Sequence, residues 1–168
     1  MVMRRRRTRF IRAFLLGVVA LALLFAWDDS RQPVAGTNWA LLAARRVIGT
    51  PHSVRLIADA PTLAAAWDDF RMAGDPASFD LSRSLVLWVA TASPQGCPAR
   101  LDGVTIDRAT RTVTARFSRG FTFACDTRQV TDSFLVTVDR SSLPSAPFTV
   151  ALDDPDATVR ATDVVVDR

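Results

Sequence analysis

Two cysteines, one histidine, a few serine pairs and several clustered aspartates are the side chains whose types and spacing suggest chemistry in this chain. Cys97 lies in the loop Ser93-Pro94-Gln95-Gly96-Cys97-Pro98, and Cys125 lies between two strand candidates. In an exported chain, two loop cysteines most simply join as one disulfide. Such a bridge would close a loop of about 30 residues and stabilise the fold by about 3–4 kcal/mol in the chain-entropy picture. A redox pair would instead need C-x-x-C proximity at a helix start, and Cys97 heads no helical pattern.

His52 follows Thr50-Pro51 and reads as a solvated turn residue. It is also the only side chain here whose ordinary pKa suits general-base work near pH 7, so a Ser/His/Asp hydrolase would have to use it. No G-x-S-x-G elbow is present, and Ser82-Arg83-Ser84 and Ser141-Ser142 read as strand-boundary loops. Asp68-Asp69 and Asp153-Asp154-Pro155-Asp156 offer paired carboxylates. The second run has the oxygen chemistry of a hard-cation loop but lacks the Glu and Gly of an EF-hand, so it reads as a solvated turn shaped by Asp and Pro. The sequence therefore assigns no catalytic, metal-ligating or cofactor-binding residue and no cofactor. The one site it pairs is Cys97 with Cys125.

Composition narrows the classes further. The chain has 168 residues and a net charge of +4. All 21 cations are Arg and all 17 acids are Asp, while Lys, Glu and Tyr are absent. Lysine Schiff-base and Glu-dependent catalysis are thereby excluded. Arg4, Arg5, Arg6, Arg7, Arg9 and Arg12 precede any acid, so the remainder of the chain is slightly acidic. With Arg and Asp alternating along that remainder, no phosphate-neutralising surface is evident, and a nucleic-acid partner is not expected.

After this Arg-rich n-region (residues 1–12) comes the uncharged run AFLLGVVALALLFAW, residues 13–27, closed by Asp28-Asp29. A cationic flank, an apolar run and an acidic exit make an export signal. Fifteen helical residues rise about 22 Å, short of the roughly 30 Å hydrocarbon core, which suits a signal peptide. Phe10 and Ile11 lengthen the run if Arg12 snorkels, which suits a signal anchor holding residues 10–27 in the membrane. The best cleavage candidate, Val34-Ala35-Gly36, lies far from the run, so the anchor is preferred to secretion after cleavage near Gly36. The positive-inside rule then places the N-terminus in the cytoplasm and the rest of the chain outside.

The elements expected in the exported part follow from periodicity. Residues 28–38 read as a linker, and 39–168 as an extracytoplasmic globular domain. WALLAARRVI, from Trp39, is either a strand or a helical turn. Ser53–Ala58 alternates as a short strand. Asp59–Ala73 is the one convincing helix, capped by Asp59, with Leu63, Ala66, Trp67 and Phe70 on one stripe and Gly74 as its stop. Leu85–Ala90 is a central strand covered on both faces, which makes Trp88 a core residue. Val104–Ile106 and Val113–Phe117 form a hairpin with one wet face. Phe121 with Phe123, Phe134–Val138 and Phe148–Leu152 alternate, and Thr158–Val166 adds a final edge strand. The fold class expected is α+β or mostly β: a sandwich of antiparallel sheets with one packed helix.

The order of these signals resembles a known family. The helix bearing LAAAW, the segment Phe79-Asp80-Leu81-Ser82-Arg83-Ser84-Leu85-Val86-Leu87, the Pro94/Gly96 loop, the hairpin, and Phe134-Leu135-Val136-Thr137-Val138 before Leu143-Pro144 are together similar to the C-terminal domain of PrcB-type protease-complex accessory proteins. The likeness covers about residues 39–152. It departs at Gly96-Cys97, where that family tends to carry Gly-Tyr. The resemblance implies a non-catalytic extracytoplasmic module that supports another protein, and it carries over no catalytic residue. The alternatives are an extracytoplasmic hydrolase using Asp, Ser and His52, or a small-ligand or cation-binding protein using Asp153–Asp156.

Overall fold

Among the described residues, β-branched and aromatic residues at period two build two sheets, and one amphipathic helix covers the outer face of one of them. The computed structural model describes residues 35–46, 48–119, 125–154 and 164–166. The expected Arg-rich segment and apolar run, the Phe121/Phe123 alternation and residues 158–163 of the last expected strand lie outside the described residues. Among those described, no helix is long and apolar enough to cross a membrane.

In chain order the elements are β1 (Trp39–Arg46), β2 (Ser53–Ile57), α1 (Ala60–Phe70), β3 (Ser84–Pro94), β4 (Ala99–Asp107), β5 (Thr112–Arg119), β6 (Gln129–Asp139), β7 (Phe148–Asp153) and β8 (Val164–Val166). The first sheet runs β1-β6-β3-β2 and the second β4-β5-β7-β8. The ambiguous WALLAARRVI segment is thus a strand, paired antiparallel with β6.

One expectation is corrected. The sheets are not wholly antiparallel, because β5 and β7 pair in parallel. Between them the chain crosses to β6 in the other sheet and returns, and two reversals bring β7 alongside β5 in the same direction. Strands alternating at period two look the same whichever way a neighbour runs, so direction had no signature in the sequence.

The core divides along the two faces of the first sheet. Leu85, Leu87 and Val89 of β3, with Phe134, Val136 and Val138 of β6, meet Val113, Ala115, Phe117, Phe148, Val150 and Leu152 of the second sheet. Phe117 and Phe134 touch across this layer, ring centroids 5.3 Å apart. On the outer face Val86, Trp88, Ala90 and Leu135 receive Leu63, Ala66 and Phe70 of α1. Trp88 is 6% exposed, as a core residue should be, and meets the Phe70 ring edge-on at 5.0 Å. Leu85–Ala90 is buried throughout, as expected of a central strand. Trp67 lies only half-buried at the rim, where its indole N–H donates to the Ala73 carbonyl.

The helix begins as expected, with the Asp59 carboxylate accepting from the Thr62 N–H at 2.8 Å. It ends earlier than expected. Arg71 takes a left-handed conformation (φ 52°), and the N–H groups of Arg71 and Met72 close on the Asp68 and Trp67 carbonyls. Glycine is the usual residue for such a closure, so an arginine there carries no stop signal that could be read in advance.

Candidate functional site

The inward-facing positions of the sandwich are apolar along most of its length and become polar at one end. Continuing the period of two beyond Val89 places Thr91 and Ser93 on the inner face of β3. The same step places Asp132 on β6, Arg119 on β5 and Asp154 just past β7. All but Arg119 are buried, at 3% exposure or less. Burying charge between sheets is costly unless each group is paired and hydrogen-bonded.

Each carboxylate meets that requirement. Asp132 accepts from the Arg46 guanidinium at 2.7 Å, from the Ala99 N–H at 2.7 Å and from the Ser93 hydroxyl. Asp154 accepts at both oxygens from Arg119, at 2.9 and 2.7 Å, and from the Thr91 hydroxyl. Arg119 also donates to the Ala92 carbonyl at 2.7 Å. Thr91 and Ala92 belong to the first sheet and Arg119 and Asp154 to the second, so this network ties the sheets together.

Arg46 reaches Asp132 because β1 carries a bulge. The register shifts between Leu41 and Ala43, which leaves Leu42 as the extra residue. Before the bulge Trp39 and Leu41 lie opposite Val138 and Val136; after it Ala44 and Arg46 lie opposite Phe134 and Asp132. Directly opposed residues share a face. Without the extra residue Arg45 would face inward in place of Arg46.

The disulfide lies at this same end. Cys97 and Cys125 are joined, with Cα atoms 5.3 Å apart. The Gln95 N–H donates to the Arg128 carbonyl and the Asp126 N–H to the Gln95 carbonyl, so the bridge closes just beyond the last rung of the β3–β6 ladder.

The opposite end uses the same residue types differently. Here β1 and β3 begin, β6 ends, and the β4–β5 hairpin turns. Asp80 accepts from the Ser82 N–H and hydroxyl, Asp107 from the Ala109 and Thr110 N–H groups, and Asp139 from the Ser141 N–H. These bonds, with that of Asp59 to Thr62, hold all four carboxyls below their ordinary pKa, because hydrogen-bond donors favour the ionised form. The arginines bind carbonyls: Arg140 donates to Leu81, and Arg108 to Ser141 and Ser142. Among the described residues no carboxylate lies within ion-pairing distance of Arg83, Arg108, Arg111 or Arg140.

A groove of about 760 Å³ opens at this end, with Arg83 and Arg140, Asp80 and Asp139, Ser84 and Asn38 among its lining. A second hollow of about 430 Å³ adjoins it, lined by Asn38, Ile106, Asp107, Arg108 and Ser142. The 3-10 turn Arg140–Ser142 stands between them.

The residues singled out from sequence fall as follows. Cys97 and Cys125 come together as expected. His52 is half-buried in the turn before β2, with a left-handed backbone (φ 54°). Asp68 and Asp69 are exposed on α1, where the Asp69 carbonyl accepts from Arg45. Ser82 and Ser141 are loop residues bound to nearby aspartates, as boundary serines should be. The solvated turn expected at Asp153-Asp154 is corrected for Asp154, which is buried because it lies in step with Val150 and Leu152 on the inner face. Pro155 and Asp156 lie outside the described residues. Among the described residues no three His, Cys or Asp side chains are grouped so as to hold a metal ion. The hydrolase alternative needed a concave cluster joining His52 or an Asp pair to the loop of residues 92–99. Asp132 adjoins that loop, but the Ser93 hydroxyl is fully buried and both groups are engaged with Arg46.

No family model, no curated protein and no solved structure matches this chain.

Proposed function

We propose that this chain is a non-catalytic module held at the outer side of a membrane, where it supports another protein. The Cys97–Cys125 disulfide is the observation that carries this reading, since structural disulfides belong to oxidising compartments. It agrees in direction with the Arg-rich start and the apolar run of residues 13–27. The resemblance to PrcB-type accessory domains supplies the class of partner, another protein. The buried polar side chains fit a supporting role, because Asp132, Asp154, Thr91 and Ser93 serve as struts between strands and sheets.

The test is purification from membranes through a tag placed after Arg168, in parallel with a reporter that is active only in the cytoplasm fused at the same point. The expected result is a stoichiometric protein partner and a silent reporter. Reporter activity overturns the topology, and a tagged protein recovered alone, with or without cross-linking, overturns the supporting role. Recovery of the chain from the medium, shortened near Gly36, replaces the anchored form with the secreted one.

A further inference from the structure

We infer that residues 35–38 form a latch on the domain and that this latch withholds the bonds around Gly36 from proteolysis, so that the domain, once folded, keeps its N-terminal segment. The consequence, an anchored and not a released domain, rests on the membrane position proposed above.

Backbone pairing and one indole make the latch. Ala35 and Ala40 pair as an antiparallel bridge, and the Gly36 N–H donates to the Trp39 carbonyl at 2.9 Å, so the chain reverses over Thr37 and Asn38 as it enters β1. The Asn38 carbonyl accepts from the Asp139 N–H at 3.0 Å, which ties the same turn to the end of β6. Gly36 also lies against the Trp39 indole. A Cβ there would fall 2.8 Å from Cδ1 and 2.9 Å from Cε2, closer than atoms can approach without one of them moving. A Cβ on Gly103 of β4 would lie 3.6 Å from Cζ2 of the same ring. The ring thus meets both the turn and β4, and it packs against the core between the sheets.

Val34-Ala35-Gly36 is the best cleavage candidate in the sequence, because a signal peptidase selects small residues. The structure gives Gly36 a different reason to be small, since a side chain there would collide with the indole. Residues 35–38 are exposed, so their protection lies in conformation. A protein that receives a peptide as an added strand binds it extended, through backbone hydrogen bonds, and a protease cleft holds the residues around the scissile bond in this way. The Gly36 N–H and the Asn38 carbonyl are already committed within the domain, and the turn cannot straighten without withdrawing Gly36 from Trp39. Exposed turns are common sites of nicking, but the hydrogen bonding of the backbone decides whether one is cut. Cleavage of the folded chain therefore follows the fraction of molecules in which the latch is open.

The experiment is limited proteolysis of the full chain in a non-ionic detergent with proteinase K, a protease of broad specificity. Intact mass follows the products cut after Ala35, Gly36 and Thr37. Each rate is divided by that of the same cuts in the urea-unfolded chain, which removes the protease's own preference for a substituted residue. On this scale the native chain should be cut about tenfold more slowly than Gly36→Ala, in which the methyl group displaces the indole and opens the turn. Trp39→Ala should be accelerated in the same way. Gly103→Ala, whose methyl group makes only ordinary contact with the ring, should leave the rate unchanged. Gly36→Ala alters no core residue, so it carries the test if Trp39→Ala fails to fold.

Equal rates in the native chain and in Gly36→Ala overturn the latch, whether both are fast or both are slow. A folded Trp39→Ala domain that is cut no faster than the native one overturns it too. Slow native cuts together with an active cytoplasmic reporter keep the latch and overturn the membrane position. Fast native cuts together with a silent reporter remove the latch and leave the membrane position standing.

Discussion

The two ends of this sandwich are made from one restricted alphabet, in which every cation is Arg and every acid is Asp, and they put it to opposite uses. At the disulfide end guanidinium and carboxylate meet each other, and in two of the three pairs the carboxylate is buried. At the groove end the carboxylates bind N–H groups and the guanidiniums bind carbonyls, and Arg83 acts on Asp80 and Asp139 through space, without an ion-pair contact. The difference is one of register. Asp132, Asp154 and Arg119 fall on inward positions of their strands, where an unpaired charge is untenable. Asp59, Asp80, Asp107 and Asp139 fall at the entries of turns and helices, where unsatisfied N–H groups are the nearest donors. Position in the strand or turn, more than the residue type, decides what a charge is for.

The largest effect that tests this contrast comes from removing a buried acceptor. Asp154→Ala should destabilise the domain by about 3–5 kcal/mol, since it strands a guanidinium that is itself mostly buried. In Asp132→Ala the loss should be smaller, because the Arg46 side chain is 39% exposed and can turn to water, against 13% for Arg119. Urea unfolding would measure both. A loss from Asp139→Ala as large as that from Asp154→Ala would dissolve the distinction between the ends.

Next in size is the staple. Replacing Cys97 and Cys125 together by Ser should cost about 3–4 kcal/mol, the loop-closure value for their sequence separation of 28. In the native chain, alkylation should find no free thiol until a reductant is added, and intact mass reads this directly. Two thiols alkylated in the folded protein without reductant would remove the staple from the comparison and leave the inter-sheet charges to hold this end alone.

How much of this was legible depended on which side chains announced themselves. The apolar run of β3, the helix stripe of Leu63, Ala66 and Phe70, and the two cysteines read directly, because burial by hydrophobic residues is what periodicity reports. The polar end did not read. Thr91, Ser93 and Asp132 continue the inward register of Val89 and Phe134, yet they look like the solvated ends of shorter strands, and β3 and β6 extend further than the apolar residues alone suggest. The signal was present as Arg and Asp in inward step on separate strands, but it has meaning only once the strands are paired. Arg46 was further hidden by the bulge at Leu42, which no residue type there advertises. At the groove end the capping aspartate of the helix was legible, since Asp before an amphipathic run is a local pattern. The convergence of Arg83, Arg108 and Arg140 was not, because three separate loops bring them together.

Acid tests the capping carboxylates of the groove end by themselves. Asp59, Asp80, Asp107 and Asp139 have folded pKa values lowered from the ordinary 3.8 by hydrogen bonds, so the unfolded chain binds protons before the folded one does. Their contribution is therefore complete above the ordinary carboxylate range and is lost as pH falls through the lowered values. Replacing the four by Asn should flatten the decline of stability below about pH 4, the unperturbed carboxylate region. Chemical denaturation at a series of acid pH values would show it, and an unchanged slope would mean that these caps carry none of the acid sensitivity.

The smallest effect makes the sharpest comparison, because it is read within one end. Arg116 and Asp153 form a third ion pair at the disulfide end, 3.8 Å apart, with 60% and 62% of their side chains exposed. They share the strands of Arg119 and Asp154 but face outward. If pairing itself stabilised this end, the outward pair would contribute like the inward one. If burial and hydrogen bonding decide, it should contribute little, since an exposed pair gains modest Coulomb energy and loses side-chain freedom. A double-mutant cycle of Arg116→Gln and Asp153→Asn should give a coupling of at most about 0.5 kcal/mol, diminishing with salt. The same cycle on Arg119 and Asp154 should give several-fold more and respond weakly to salt. Equal couplings would show that proximity of opposite charge, and not the inward register, holds the sheets together at this end.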